Sequence, residues 1–235
     1  METQSPVLTT VKKMIRDIPG VGPLLVRLRG GARPGSNFTN SSEYWDNRYR
    51  KGGNSGAGSY NRLAEFKADV LNGFVRDHQV ASVIEFGSGD GAQLARAQYP
   101  DYIGIDVSPK AVELCRETFQ SDPSKMFFTT DAVSERMRAE LSLSLDVIYH
   151  LVEDPVFDEY MRRLFAAASR HVIVYSSNMD KTWPASHVRH RQFTRWVEQN
   201  MRAWTLVEVV KNKYPYDDSD PDHTSFADFF IFAKR

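Results

Sequence analysis

The sequence predicts an α/β fold, a doubly wound and mostly parallel sheet closed by an antiparallel pair. Three observations predict it. From about residue 61 onward, short apolar strand-like runs alternate with segments of helical periodicity. The first run, Ala81-Ser-Val-Ile-Glu-Phe86, enters a glycine turn, Gly87-Ser-Gly-Asp-Gly91. The last two runs, 204–210 and 227–233, have no helical segment between them, so they should be antiparallel neighbours.

Composition narrows the class. The chain has 235 residues, 41% hydrophobic and 26% charged, enough for one sizeable core with a short appendage. Lys+Arg and Asp+Glu each number 30, so nothing global points to a nucleic-acid partner, whose binders are usually strongly basic. The single cysteine, Cys115, excludes an intramolecular disulfide and a cysteine-rich zinc site, and fits a reducing cytoplasm. No apolar run approaches the roughly 18 residues of a membrane span. A soluble cytoplasmic protein is expected.

Residues 1–40 read as a basic N-terminal arm and linker. Lys12, Lys13, Arg16, Arg27, Arg29 and Arg33 stand against Glu2 and Asp17 within the first 35 residues. Two prolines and two glycines break Ile18–Val26, so a secretory signal is not expected. The arm suits a docking segment for a protein partner or an anionic membrane surface. The turn-rich stretch from Gly30 to Ser42 is the linker, and residues 41–235 form the main domain.

The elements follow in order. Leu63, Phe66, Val70, Leu71, Phe74 and Val75 recur at helical spacing, predicting a helix over about 61–77. Strand one is 81–86 and strand two 102–107, after which Ser108 caps a helix to about Thr118. Strand three is 126–130 and strand four Leu145-Asp-Val-Ile-Tyr149, with a helix near 156–168. Strand five is 171–175, a helix covers His187–Gln199, and strands six and seven close the chain.

In such a sheet a ligand binds beyond the carboxyl ends of the strands, where strand order reverses. The glycine turn lets the backbone approach a ligand closely. Asp106 follows Gly87 by 19 residues, at the end of strand two, where a carboxylate accepts both ribose hydroxyls. Asp131 follows 25 residues later at the end of strand three, within reach of an adenine amino group. The three features together point to an adenosine-containing ligand. The G-x-G-x-G spacing and Asp90 suit a pyrophosphate poorly. An acidic turn preceded by Glu85 better suits a ligand carrying a cationic amine and a sulfonium.

With these residues the sequence resembles the class I S-adenosylmethionine-dependent methyltransferases. Val83–Gly91 looks like their first motif, Tyr102–Val107 like their second, and Asp131 like the acid ending their third. The resemblance covers roughly residues 43–235 and implies a Rossmann-like seven-strand sheet of order 3-2-1-4-5-7-6. It implies a cofactor site built from Glu85, Gly87, Ser88, Gly89, Asp106 and Val107, with Asp131, Ala132 and Tyr149. Tyr44-Trp-Asp-Asn-Arg-Tyr49 resembles the aromatic-plus-arginine segment that folds over the cofactor in many such enzymes. Arg48 would then pair with the methionine carboxylate, while Tyr44 and Trp45 serve either as lid or as packing on the sheet.

The acceptor is read from weaker signals. Asp146-Val-Ile-Tyr-His-Leu-Val-Glu-Asp154 lacks the Pro-Pro pair common in base-modifying enzymes, which argues against a nucleic-acid base. His150 is the candidate general base, with Glu153 and Asp154 to orient it. Alternatively His150 is structural and Asp154 caps the next helix. Tyr60 and Arg62 would close the site, and Asn178, His187 and His190 would line its rim as substrate contacts. His187 and His190 share one face of a helix start in this reading, yet no carboxylate stands at fixed spacing to them, so no metal is assigned. The acidic run before His223 lacks the glycine and glutamate of a calcium loop. The run from Tyr44 to Lys67 and residues 148–154 look like methyltransferases of bacterial polysaccharide assembly. The expected acceptor is therefore a carbohydrate hydroxyl, with a small natural product (hydroxyl or amine) or a non-catalytic cofactor-binding role as alternatives.

Overall fold

The computed structural model describes residues 38–134 and 136–235. The expected basic arm lies outside the described residues. Within them, seven strands form one sheet of order β3-β2-β1-β4-β5-β7-β6. The strands are β1 (Ser82–Phe86), β2 (Asp101–Asp106), β3 (Lys125–Thr129), β4 (Ala139–Leu145), β5 (Ala168–Ser176), β6 (Trp204–Val210) and β7 (Asp228–Lys234). Strands β3-β2-β1-β4-β5 are parallel, and β7 runs antiparallel between β5 and β6. The chain crosses from β3 over to β4 beside β1, so strand order reverses at β1.

The helices are α1 (Ser41–Arg50), α2 (Asn61–Asp77), α3 (Pro109–Thr118), α4 (Asp154–Ala166) and α5 (Phe193–Asn200). Asn40 caps α1 by accepting from the Glu43 N–H at 2.8 Å, and Ser108 caps α3 as its sequence position predicts. On α2 the buried stripe is Leu63, Ala64, Lys67, Ala68, Leu71, Phe74 and Val75, one cation among six apolar side chains.

Alternate residues of each strand feed the two sides of the sheet. Leu71, Phe74, Val83, Leu143, Tyr175 and Phe229 pack in one cluster with α2. Ile84, Phe86, Phe157, Leu164, Val172 and Phe230 pack in the other with α4 and α5. Glu85 follows Ile84, so the pleat turns its side chain to the α2 side, as for Val83.

Two elements differ from the sequence expectation. The fourth strand lies at 139–145, not 145–149. Its alternating Leu-Ser pattern reads as half-exposed, but Ser142 and Ser144 are fully buried, and Ser144 Oγ meets the Tyr160 hydroxyl of α4 at 2.7 Å. Asp146, at φ +60°, leaves the strand, and Ile148–His150 forms one 3-10 turn with Ile148 and Tyr149 buried. Helix α5 begins at Phe193, so His187 and His190 lie in a loop. That loop spends its polar groups on the segment after β4. The Arg189 N–H donates to the Tyr149 carbonyl at 2.7 Å, and the Arg191 guanidinium to Leu151 and Val152 carbonyls at 2.7 and 2.9 Å.

Candidate functional site

A cavity of about 270 Å³ opens at the carboxyl ends of β1, β2 and β4, roofed by Ser41, Trp45 and Tyr49 of α1. Gly87 and Gly89 form its floor at φ +84° and +59°. A Cβ on Gly87 would collide with the Val147 methyl, and one on Gly89 with the Ser55 hydroxyl, so both the backbone angle and the packing require glycine.

Asp106 holds this floor. Its carboxylate accepts the Gly89 N–H and the Ser108 N–H, each at 2.9 Å. Burial pushes its pKa up to about 6, and backbone N–H groups of Ser108, Gly89 and Val107 limit the rise. The carboxylate retains acceptor capacity beyond these backbone donors. Nearby in the wall, Ser88 Oγ and Gln93 Oε1 are buried and have no hydrogen-bond partner among the described residues. Buried polar atoms rarely stay unpaired, so this wall has donors and acceptors to offer a polar ligand.

The opposite wall carries a buried charge cluster. Burial pushes the Glu85 carboxyl up to about 7, against the Tyr102 hydroxyl bond at 2.7 Å and the Lys67 charge. Lys67 of α2 is 1% exposed and pairs with Asp146 at 2.7 Å. The other Asp146 oxygen accepts the Tyr149 hydroxyl at 2.9 Å, so Tyr149 braces this cluster and does not line the cavity as expected. Neither Lys67 nor Asp146 was among the candidates. The legible signal was a lysine placed at a core position of an amphipathic helix.

The loop between α1 and α2 is fastened over the glycine turn by Asp90. Its carboxylate accepts the Ser55 N–H at 3.0 Å, the Ser55 hydroxyl at 2.7 Å and the Tyr60 hydroxyl at 2.9 Å. Asp90 therefore latches a loop and is not the ligand-facing charge the sequence suggested. Tyr60 sits in this latch and off the cavity wall. The Arg48 guanidinium is likewise spent on the loop, with Nε donating to the Asn54 carbonyl at 2.6 Å and a nitrogen 3.3 Å from Asn54 Oδ1.

His150 lines the cavity beside Trp45, their rings edge-on at 4.8 Å. Its Nδ1 lies 3.0 Å from the His187 carbonyl oxygen, which can only accept. Nδ1 therefore carries the proton, and Nε2 presents a lone pair. Among the described residues no hydrogen bond engages Nε2. Burial pushes the His150 pKa down to about 4, so the ring is neutral at physiological pH.

The proposed helpers of His150 act elsewhere. Glu153 accepts the Ser41 N–H at 3.0 Å and its hydroxyl at 2.6 Å, tying α1 to the loop after β4. Asp154 is 67% exposed and pairs with Arg189 and Arg191 at 3.0 Å, on the surface and away from the imidazole. It is the first residue of α4, with Glu153 in the cap position, so it is not the cap either.

The remaining candidates scatter for local reasons. Asp131 and Ala132 are exposed, and Thr130 and Val133 supply the cavity wall there. Arg62 pairs with Asp220 at 3.0 Å and donates to the His223 carbonyl, bracing the β6–β7 connection. Asn178 accepts the Thr194 N–H at 3.2 Å and so caps α5 from a distance. His187 stacks on Tyr44 with centroids 4.4 Å apart, which gives Tyr44 the packing role. His190 bonds Ser177 Oγ at 2.7 Å within an aromatic box that includes Trp183 and Phe226. Trp45, Glu85, Gly87, Ser88, Gly89, Asp106, Val107 and His150 do come together on one cavity.

No protein-family model and no curated protein sequence matches the chain. Solved structures do. The N-methyltransferase NodS from Bradyrhizobium japonicum WM9, in complex with S-adenosyl-l-homocysteine, gives a TM-score of 0.64 at 18% identity, over 83% of this chain and 98% of that one. Magnesium protoporphyrin IX methyltransferase (ChlM) from Synechocystis PCC 6803, with bound SAH, gives 0.60 at 14% identity, over 91% and 100%. The methyltransferase domain of bacterial CtHen1 gives 0.56 at 16% identity, over 73% and 100%. The chain has a methyltransferase fold. Its strand order and the cavity at the β1 switch point are features of that fold.

Proposed function

We propose that this chain is a cytoplasmic S-adenosylmethionine-dependent methyltransferase acting on a hydroxyl of a small polar acceptor, a sugar or glycan precursor. The observation that carries the cofactor assignment is the buried Asp106 carboxylate at the end of β2. It braces the glycine turn and keeps lone pairs toward a cavity whose wall holds the unpaired Ser88 and Gln93 atoms. These residues fit a ribose and its neighbouring polar groups, and Glu85 fits a cationic amine. Several similar structures are described with bound SAM or SAH, among them NodS and ChlM.

When bound, the cofactor supplies a methyl group already activated on a sulfonium sulfur. The chain then has to orient the acceptor, exclude water and take one proton. His150 Nε2 is the atom suited to that proton, since Nδ1 is committed to the His187 carbonyl. Its depressed pKa keeps the imidazole neutral and the Nε2 lone pair available at physiological pH. Trp45 beside His150 offers a flat apolar wall, which suits the C–H face of a sugar ring. Ser41 and Ser42 add hydroxyls on the same rim. The fold alone does not select the acceptor, as the names of its neighbours include a porphyrin and a small RNA enzyme.

The test is calorimetric titration of S-adenosylhomocysteine and, separately, NAD into wild type and Asp106→Ala. Micromolar binding of the first, lost by about 100-fold in the variant and absent for NAD, is expected. NAD binding, or no binding of S-adenosylhomocysteine, would refute the cofactor assignment. Sugar acceptors are then screened for methyl transfer.

A further inference from the structure

Arg48 resembles the arginine that pairs with the cofactor carboxylate in related sequences, yet here it is committed to Asn54 and absent from the cavity wall. The cavity wall includes one lysine and one arginine, Lys67 and Arg163. Arg163 stands at the far end, near Thr130, and pairs with Glu159 at 2.8 Å. Lys67 stands at the Glu85 end, close enough for its charge to act on Glu85.

The Lys67 ammonium carries three N–H donors. Among the described residues one of them has an acceptor, Asp146 at 2.7 Å, and the ring of Tyr175 lies 5.3 Å from the nitrogen. A lysine 1% exposed with donors to spare, on a cavity wall, is a costly arrangement unless a ligand completes it. An α-amino acid carries its ammonium and its carboxylate on one carbon. A wall with a carboxylate and a neighbouring ammonium is the complement of that zwitterion.

We propose that Lys67, and not Arg48, holds the α-carboxylate of the cofactor's methionine portion, with Asp146 as the positioning residue that aims the ammonium. The assignment rests on the cofactor reading above. It predicts that the binding preference for the intact amino-acid end resides in α2.

The experiment compares S-adenosylhomocysteine with its decarboxylated analogue, S-adenosyl-3-thiopropylamine, by calorimetry on wild type, Lys67→Met and Arg48→Met. Wild type should prefer the carboxylate-bearing ligand by about 10- to 100-fold, the worth of a charged hydrogen bond. Lys67→Met should lose that preference to within about twofold, whatever its absolute affinity for the analogue, and Arg48→Met should keep it. Because Lys67→Met leaves the part-buried Asp146 carboxylate without its cation, the double variant Lys67→Met/Asp146→Asn is measured alongside and should give the same loss of preference. A preference retained without Lys67, lost with Arg48, or an equal loss for both ligands would overturn the assignment and leave Lys67 as a bolt between α2 and β4. Failure of wild type to bind either ligand would instead bring down the cofactor reading, and this assignment with it.

Discussion

The imidazole Nδ1 of His150 lies 3.0 Å from the carbonyl oxygen of His187, contributed by a loop that follows β5. This contact fixes the tautomer, and it depends on the pinning of the 187–192 loop by Arg189 and Arg191 to the carbonyls of residues 149–152. A candidate base is thus oriented by backbone rather than by a carboxylate.

Replacing His150 with alanine should lower methyl transfer to the preferred acceptor by about 100-fold or more while leaving S-adenosylhomocysteine affinity within about twofold. Steady-state kinetics and calorimetry on the same preparation check both halves. Unchanged turnover would remove His150 as the base and favour an amine acceptor, which needs less help in losing its proton.

Asp90 accepts three hydrogen bonds from Ser55 and Tyr60, each to a charged acceptor in a partly buried setting. Asp90→Ala should free the loop, raising amide exchange over residues 55–60 by about tenfold or more with β1 and β4 unaffected. Hydrogen exchange read by mass spectrometry resolves the two regions. Equal protection in the variant would show that the loop is held by other contacts.

Cofactor affinity should rise with pH. The Glu85 carboxyl sits at about 7 in the ligand-free chain against an ordinary 4.5, so its burial costs stability progressively as pH rises from 4.5 to 7 and no further above that. A cationic amine selects the ionised form, and binding must therefore expel a proton at lower pH. Affinity for S-adenosylhomocysteine, followed from pH 5.5 to 8.5, should climb with a step near 7. Glu85→Gln should erase that step and leave one near 6 from Asp106. A profile identical in the variant would refute the role of Glu85.

Asp154→Ala and Arg62→Ala remove exposed ion pairs whose residues do not line the cavity at the glycine turn. Each should change stability by less than about 1 kcal/mol and turnover by less than about twofold. A large kinetic loss at Asp154 would restore it to the active site, and thermal melts beside the assay separate that from unfolding.

Much of the fold was legible because burial on both sides of a parallel sheet writes continuous apolar runs, as in β1 and β5, and helices write a 3.6-residue stripe, as in α2. Strand β4 was misplaced because Ser142 and Ser144 look like surface residues and are fully buried. The helix that the sequence predicts from His187 fails for a different reason. Its residues have helical spacing, but their backbone and guanidinium donors are drawn to carbonyls of residues 149–152.

The site divides along the same line. Glu85, the glycine turn and Asp106 were readable because strand ends carry their side chains to a place set by topology, within a few residues of a glycine that only one backbone shape explains. Lys67, Asp146 and the true partners of Glu153, Arg62 and Asn178 were not. Each is chosen by a neighbour between 16 and 158 residues away, through a hydrogen bond whose geometry exists only after the sheet has closed and the helices have docked. Local periodicity and spacing determined the order of elements and the glycine turn at the cavity. Which polar side chains face the cavity, and which are spent on holding it together, was decided by tertiary packing, because a buried charge settles on whichever partner reaches it.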